Sequence, residues 1–217
     1  MNTQQAIKSK IAISDLGVVD YLPAWELQKN IAEDVITGKT PNTLLFLQHP
    51  SVYTAGRRTE LSDRPVDGTP VVDVDRGGKI TWHGLGQLVG YPIIKLKNST
   101  NVVGFVREIE SALIDVCAEF GLVTERICDR SGVWLRDKNG DRKIAAIGIR
   151  VAKGVTTHGF AININPDLSA YDRIIPCGIS DATVTSLSKE LGREISLSQV
   201  QPIVEKYILQ ALEKVCA

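Results

Sequence analysis

Apolar and polar positions alternate along the chain in two different periods, and the period changes mark the elements. From Val18 to Gly38 the residues Leu27, Ile31 and Val35 recur at four-residue intervals, the spacing of one helix face, and Gly38 supplies a C-terminal stop. Thr43-Leu44-Leu45-Phe46-Leu47-Gln48 is a short apolar run that reads as a strand, ended by His49-Pro50 because proline cannot continue a central ladder. Ser51 to Arg58 is a strand end running into a loop with two adjacent arginines, Glu60 to Thr69 a surface loop, and Val71 to Val74 another strand. Asn101 can cap a helix with the stripe Val106, Ile109, Leu113, Val116 and Phe120, closed by Gly121. Leu122 to Ile127 reads as a strand. Val133-Trp134-Leu135 and Ile144 to Val151 flank Asn139-Gly140, a pair suited to a hairpin turn. From Thr156 to Asn165 the alternation puts His158 on one face with Phe160, Ile162 and Ile164, and Gly159 on the other, where it would leave room for a ligand. Pro166 to Ser169 is a turn, and Ser180 to Gly192 an irregular or helical piece. A last helix starts near Pro202 and buries Val200, Val204, Ile208, Ala211, Leu212 and Val215. Strands and helices mix without regular alternation. The pattern predicts an α/β or α+β single domain, a mixed β-sheet with helices mainly on one side.

Composition narrows the partners. The chain has 217 residues, enough for one substantial core, with 43% hydrophobic and 23% charged residues. Its 25 basic residues cancel its 25 acidic ones, which argues against the broad positive field that nucleic acids or anionic membranes attract. No apolar run approaches the roughly 20 residues of a membrane span. Residues 1–10 are polar, lack the order of a secretory signal and are expected to form a flexible tail before one domain at 11–217. The four cysteines, Cys117, Cys128, Cys177 and Cys216, show no C-x-x-C spacing and are expected as free thiols in a reducing cytoplasm.

Candidate chemistry lies in two places. Arg76-Gly77-Gly78-Lys79-Ile80-Thr81-Trp82-His83-Gly84-Leu85-Gly86-Gln87 sets polar and aromatic groups among four glycines, either as a pair of tight turns or as backbone that approaches a ligand closely. It matches neither common nucleotide loop, so phosphate cradling is unsupported. Further on, Lys143 stands where a strand begins and Cys177 stands between Pro176 and Gly178. They offer a nitrogen base and a sulfur nucleophile, a pair able to move an acyl group without metal or nucleotide. Cys117 sits on a helix face and reads as core, Cys128 has no base nearby in sequence, and Cys216 lies at a helix end. A lone histidine such as His158 on an apolar face is more often a hydrogen-bonded structural group than a catalyst.

Four motifs in order, Arg76 to Leu88, Lys143-Ile144-Ala145-x-x-Gly148, Thr157-His158-Gly159-x-Ala161-x-Asn163 and Pro176-Cys177-Gly178, resemble those of the lipoyl (octanoyl) transferases over about Tyr21 to Leu187. Leu85 stands where that family usually has proline, and Trp82 where it has tyrosine or phenylalanine. The resemblance implies the biotin and lipoate protein ligase fold. It implies transfer of octanoyl from octanoyl-acyl carrier protein to a lysine of lipoyl domains, in 2-oxoacid dehydrogenase E2 subunits and the glycine cleavage H protein, in the cytoplasm and with no cofactor. It implies Cys177 as acyl-thioester nucleophile and Lys143 as its partner. An acyl pocket would be lined by Arg76, Gly77, Gly78, Lys79, Ile80, Thr81, Trp82 and His83, by Ala146, Ile147 and Gly148, and by Gly159, Phe160 and Ala161. His83 is the rival base. Arg57, Arg58, Arg142, Arg150 and Lys153 are candidates for docking the acidic carrier. Three alternatives remain open: an ATP-dependent lipoate or biotin ligase, octanoyl transfer between lipoyl-domain proteins, and a non-catalytic acyl-binding module.

Overall fold

The run Thr43 to Leu47 is apolar at consecutive positions because it is covered on both sides. In the computed structural model, which describes residues 11–174 and 182–217, Leu44 and Phe46 of strand β2 (Asn42–Gln48) enter one core, and Leu45 and Leu47 enter another on the opposite face. Around it are β1 (Ile11–Val18), β6 (Gln87–Ile93), β7 (Glu125–Ile127), β8 (Arg130–Asp137), β9 (Gly140–Ala152) and β10 (Val155–Asn163). They form a mixed sheet in the order β1-β2-β6-β10-β9-β8-β7, with β11 (Thr183–Val184) added beside β9. A second sheet of β3 (Val52–Ala55), β4 (Val71–Asp73) and β5 (Ile80–His83) has the order β4-β3-β5.

Helices flank the main sheet as expected, two of the three long ones on one face and the third on the other. Helix α2 (Val102–Glu119) and helix α4 (Leu197–Val215) pack on the face that carries Leu44, Phe46, Phe160 and Ile162. Helix α1 (Tyr21–Thr37) packs on the other, against Leu45, Leu47, Val89 and Ala161. The short α3 (Leu187–Leu191) lies between β11 and α4 in the chain. The stripes predicted for the two long helices hold at Ile109, Leu113, Val116, Val200, Val204 and Ile208, all fully buried. Asn101 caps α2 as expected, accepting the Gly104 N–H at 2.9 Å. Cys117 is buried, and burial pushes its thiol up to about 12.

Helix α1 departs from its pattern. It starts at Tyr21, since Val18 still belongs to β1, and it buries Tyr21, Ala24, Gln28, Ala32 and Val35 while Leu27 is 37% exposed. Small side chains let this helix lie close to the sheet, and the amide of Gln28 is needed there to accept the His158 backbone N–H at 2.8 Å. Strand β1 has no counterpart in the predicted elements, because an edge strand exposed over most of its length shows no alternation. In the β8–β9 hairpin the left-handed conformation falls on Gly140 alone, at φ 92°. Among the described residues no helix is long and apolar enough to cross a membrane.

Candidate active site

Strands β8 and β9 fall out of step by one residue, and this decides where Lys143 points. Val133 pairs with Ala145, but Trp134 pairs with Lys143, so Ile144 is an extra residue in β9. Ile144 and Ala145 both enter the α2/α4 core, followed there by Ile147 and Ile149, while Ala146 and Gly148 face the opposite side. Strict alternation would give Lys143 the parity of Ala145 and Ile147 and bury an ammonium among apolar groups. The bulge reverses the parity and turns the lysine onto the face of Ala146 and Gly148. There it is 6% exposed, with Nζ 4.5 Å from the centre of the Trp134 ring.

Neighbouring backbone fixes the lysine further. Val184 of β11 pairs with Lys143, and the Thr185 N–H donates to the Lys143 carbonyl at 2.9 Å. Gly132 has φ 118°, and a Cβ there would collide with the Ala145 carbonyl and lie 3.3 Å from Lys143 Cε. Only glycine fits. Its N–H donates to the buried carboxylate of Glu110 at 2.9 Å, which also pairs with Arg107 and Arg126.

Lys143 opens into a cavity of about 390 Å³. Of the expected pocket residues, Arg76, Gly78, Lys79, Thr81, His83, Ala146, Ile147, Gly148, Gly159, Phe160 and Ala161 line it. Gly77, Ile80 and Trp82 do not: Ile80 and Trp82 are packed in a separate core with Tyr53 and Tyr171. Cys177 and its Pro176–Gly178 motif lie outside the described residues. The sequence reading missed Tyr21 and Tyr91 on the walls and the turn Cys128 to Ser131 at the margin. Asp129 at φ 61° in that turn was the available signal, since Cys128-Asp129 joins two strands that pair Ile127 with Arg130.

Arg76 faces the cavity but is spent on the fold. One guanidinium nitrogen donates to the Thr54 carbonyl and hydroxyl at 2.8 and 2.9 Å, and the other to the carbonyls of Lys79 at 2.8 Å and Gly77 at 3.1 Å. It holds the glycine turn against Gly148, where a Cβ would meet Arg76 Cδ at 2.9 Å. Arg142 and Arg150, candidates for carrier docking, are engaged inside the chain, Arg142 with Asp137 and Glu190 and Arg150 with Asp75.

All three histidines of the chain gather at the α1 end of the cavity. His49 Nδ1–H donates to the Val19 carbonyl at 2.6 Å, which leaves Nε2 to accept the Tyr91 hydroxyl at 2.7 Å. His83 Nδ1–H donates to Gln87 Oε1 at 2.7 Å, while the Gln87 amide nitrogen donates to Asn163 Oδ1 at 2.8 Å. Burial, together with the charges of His49 and Arg76, lowers the His83 pKa to about 3, so the ring is neutral and a weak base. Burial also lowers His49 and His158 and raises Tyr21 to about 12.

His158 does not share the face of Phe160, Ile162 and Ile164. It sits at φ 59°, a left-handed conformation that interrupts the alternation, and its ring meets Tyr21 and Trp25 of α1. Nε2 lies 2.7 Å from Asp75 Oδ1. Burial works against the Asp75 charge, yet the His158 hydrogen bond and the nearby Arg150 hold its carboxyl below the usual range. Gly159 borders the cavity, but close strand packing also requires it. A Cβ there would strike the Gly90 carbonyl and Pro92 Cδ, so glycine is required for the approach of β6 and β10.

Residues 20–209 match the model of the lipoyl protein ligase A/B catalytic domain. The chain belongs to this family. An octanoyltransferase of Salinispora arenicola is 58% identical over 202 residues, 92% of this chain and 95% of that one. The octanoyltransferase of Salinispora tropica is 58% identical over 205 residues, 94% of this chain and 96% of that one. A Thermoplasma acidophilum protein described as a lipoate protein ligase, solved with bound lipoic acid, superposes with a TM-score of 0.65 at 14% identity, covering 93% of this chain and 86% of that one. That likeness shows the lipoyl protein ligase fold, in line with the architecture expected from the motifs.

Proposed function

We infer that this member of the family is an acyltransferase of protein lipoylation that moves octanoyl from octanoyl-acyl carrier protein to a lysine of lipoyl domains, by way of a Cys177 thioester. The high identity to octanoyltransferases over nearly the whole chain supports the reaction. The observation that carries the site is the bulge at Ile144, which turns an ammonium otherwise destined for an apolar core onto a cavity floored by Ala146, Gly148 and Ala161.

In the first half Lys143 takes the Cys177 proton, the thiolate attacks the thioester carbonyl of the donor, and the Lys143 ammonium returns the proton to the departing carrier thiolate, which leaves the lysine neutral. A free thiol with a pKa near 8.5 is only a few per cent ionised at neutral pH, so a neighbouring cation such as Lys143 favours the attack. In the second half the substrate amine adds to the enzyme thioester, gives a proton to neutral Lys143 and expels the Cys177 thiolate. His83 is the weaker candidate for that base, given its low pKa and its Nδ1–H committed to Gln87. Thioester to amide is downhill, so no nucleotide enters the balance. Arg57, Arg58 and Lys153 remain candidates for meeting an acidic carrier, and E2 subunits and the H protein are the proposed acceptors.

Intact-mass spectrometry after incubation with octanoyl-acyl carrier protein tests the reading. The expected result is a gain of one octanoyl group without ATP, lost in Cys177→Ala and discharged by a lipoyl domain. Labelling that needs ATP and free acid points to a ligase, labelling from octanoylated domains alone to an interdomain transferase, and no covalent gain to a binding module; any of these overturns it.

A further inference from the structure

The cavity has two unlike ends. At one stands Lys143. Its Nζ lies against Trp134 of β8, while Tyr91 stands on β6, beyond β10 on the other side of β9. Strands about 4.8 Å apart put β6 roughly 14 Å from β8 and roughly 10 Å from β9, the order of the about 9 Å of an extended eight-carbon chain. Between them the floor is small and apolar. At the far end it is closed by Tyr91, Tyr21 and the histidines they touch.

We propose that Tyr91 and Tyr21, locked by hydrogen bonds and ring contacts to His49, His83 and His158, form a rigid stop for the terminal methyl and set the length of acyl chain this enzyme accepts. This deepens the proposed acyl-transfer reading and rests on it. A purely apolar end yields to a longer chain by changing rotamers, and each added methylene then improves binding about fourfold. This end does not yield in that way. The Tyr91 hydroxyl reaches His49 at 2.7 Å, His49 reaches the Val19 carbonyl at 2.6 Å, and Tyr21 stacks on His83 at 6.0 Å and 16° while its hydroxyl lies 3.5 Å from His158. Tyr91 and Tyr21 are 3% and 5% exposed, so displacing either breaks hydrogen bonds between buried polar groups.

The test is kcat/KM for hexanoyl, octanoyl, decanoyl and dodecanoyl carrier protein with wild type, Tyr91→Val and Tyr21→Ala. The decanoyl-to-octanoyl ratio is read because it does not depend on how much of a weakened variant is folded. Wild type should give a ratio of roughly one-tenth or less, and at least one variant should raise it about tenfold or more. Tyr91→Phe, which keeps the ring and drops the hydroxyl, should give a smaller rise. A wild-type ratio near one, or a ratio unmoved in both truncated variants, overturns the stop. Should neither variant fold, the wild-type profile decides: an optimum at octanoyl with a fall at decanoyl supports the stop, and equal or rising rates with length overturn it. Failure of the acyl-transfer reading itself appears separately, as absence of Cys177-dependent labelling by the octanoyl donor.

Discussion

The two faces of the central sheet solve opposite problems with the same strands. The face under α2 and α4 is filled by Phe46, Leu88, Phe160, Ile162 and their neighbours. The face toward α1 and the small sheet carries Ala146, Gly148, Gly159 and Ala161, and is closed by tyrosines, histidines and Arg76. Large side chains on one side, and glycine and alanine where β9 and β10 meet on the other, leave a packed core below and a cavity above. The first face is packed and the second holds the proposed site, which Lys143 reaches only because β9 carries one residue more than its partner.

Removing the proposed base should separate the two faces most sharply. Lys143→Met should lower kcat for octanoyl transfer by about 10²- to 10⁴-fold, as expected for loss of a positioned acid–base group, with the melting temperature little changed. A variant that transfers normally would show that the lysine acts on neither half-reaction. The converse change is Leu113→Ala, in the core under α2. It should destabilise the protein by about 2–5 kcal/mol, lowering Tm by roughly 5–15 °C, while kcat per folded molecule stays near wild type. A large fall in kcat with an unchanged melt would contradict the division.

The smallest effect sharpens the account of the cavity face. An unfolded histidine titrates near 6.5, whereas His83 in the fold titrates at about 3. Between those values the unfolded chain holds a proton the folded one does not, so this contribution is complete above pH 6.5 and is lost as pH falls toward 3. Melting curves at pH 7.5, 6 and 5 should show a decline that is shallower in His83→Gln, by about 2–4 °C for each kcal/mol removed. An identical slope in the variant would mean that His83 is not the group whose burial opposes protonation.

Local pattern determined the elements that repeat. The stripes of α2 and α4, the doubly covered β2 and the cap at Asn101 follow from spacing, because burial of one helix face or of both strand faces is written residue by residue. The motifs likewise pointed to one region: of the fourteen pocket residues expected from them, eleven line one cavity. What tertiary structure alone decided is direction. A single extra residue at Ile144 turns Lys143 around, a left-handed His158 leaves its strand's apolar face for Asp75 and Tyr21, and a backbone carbonyl at Gly90 accounts for Gly159. Each depends on how a neighbouring strand or helix pairs and packs, and period-two counting along one segment contains no record of its neighbour. The same holds for the cluster of His49, His83 and His158: three residues far apart in sequence become one wall when α1 closes over the sheet.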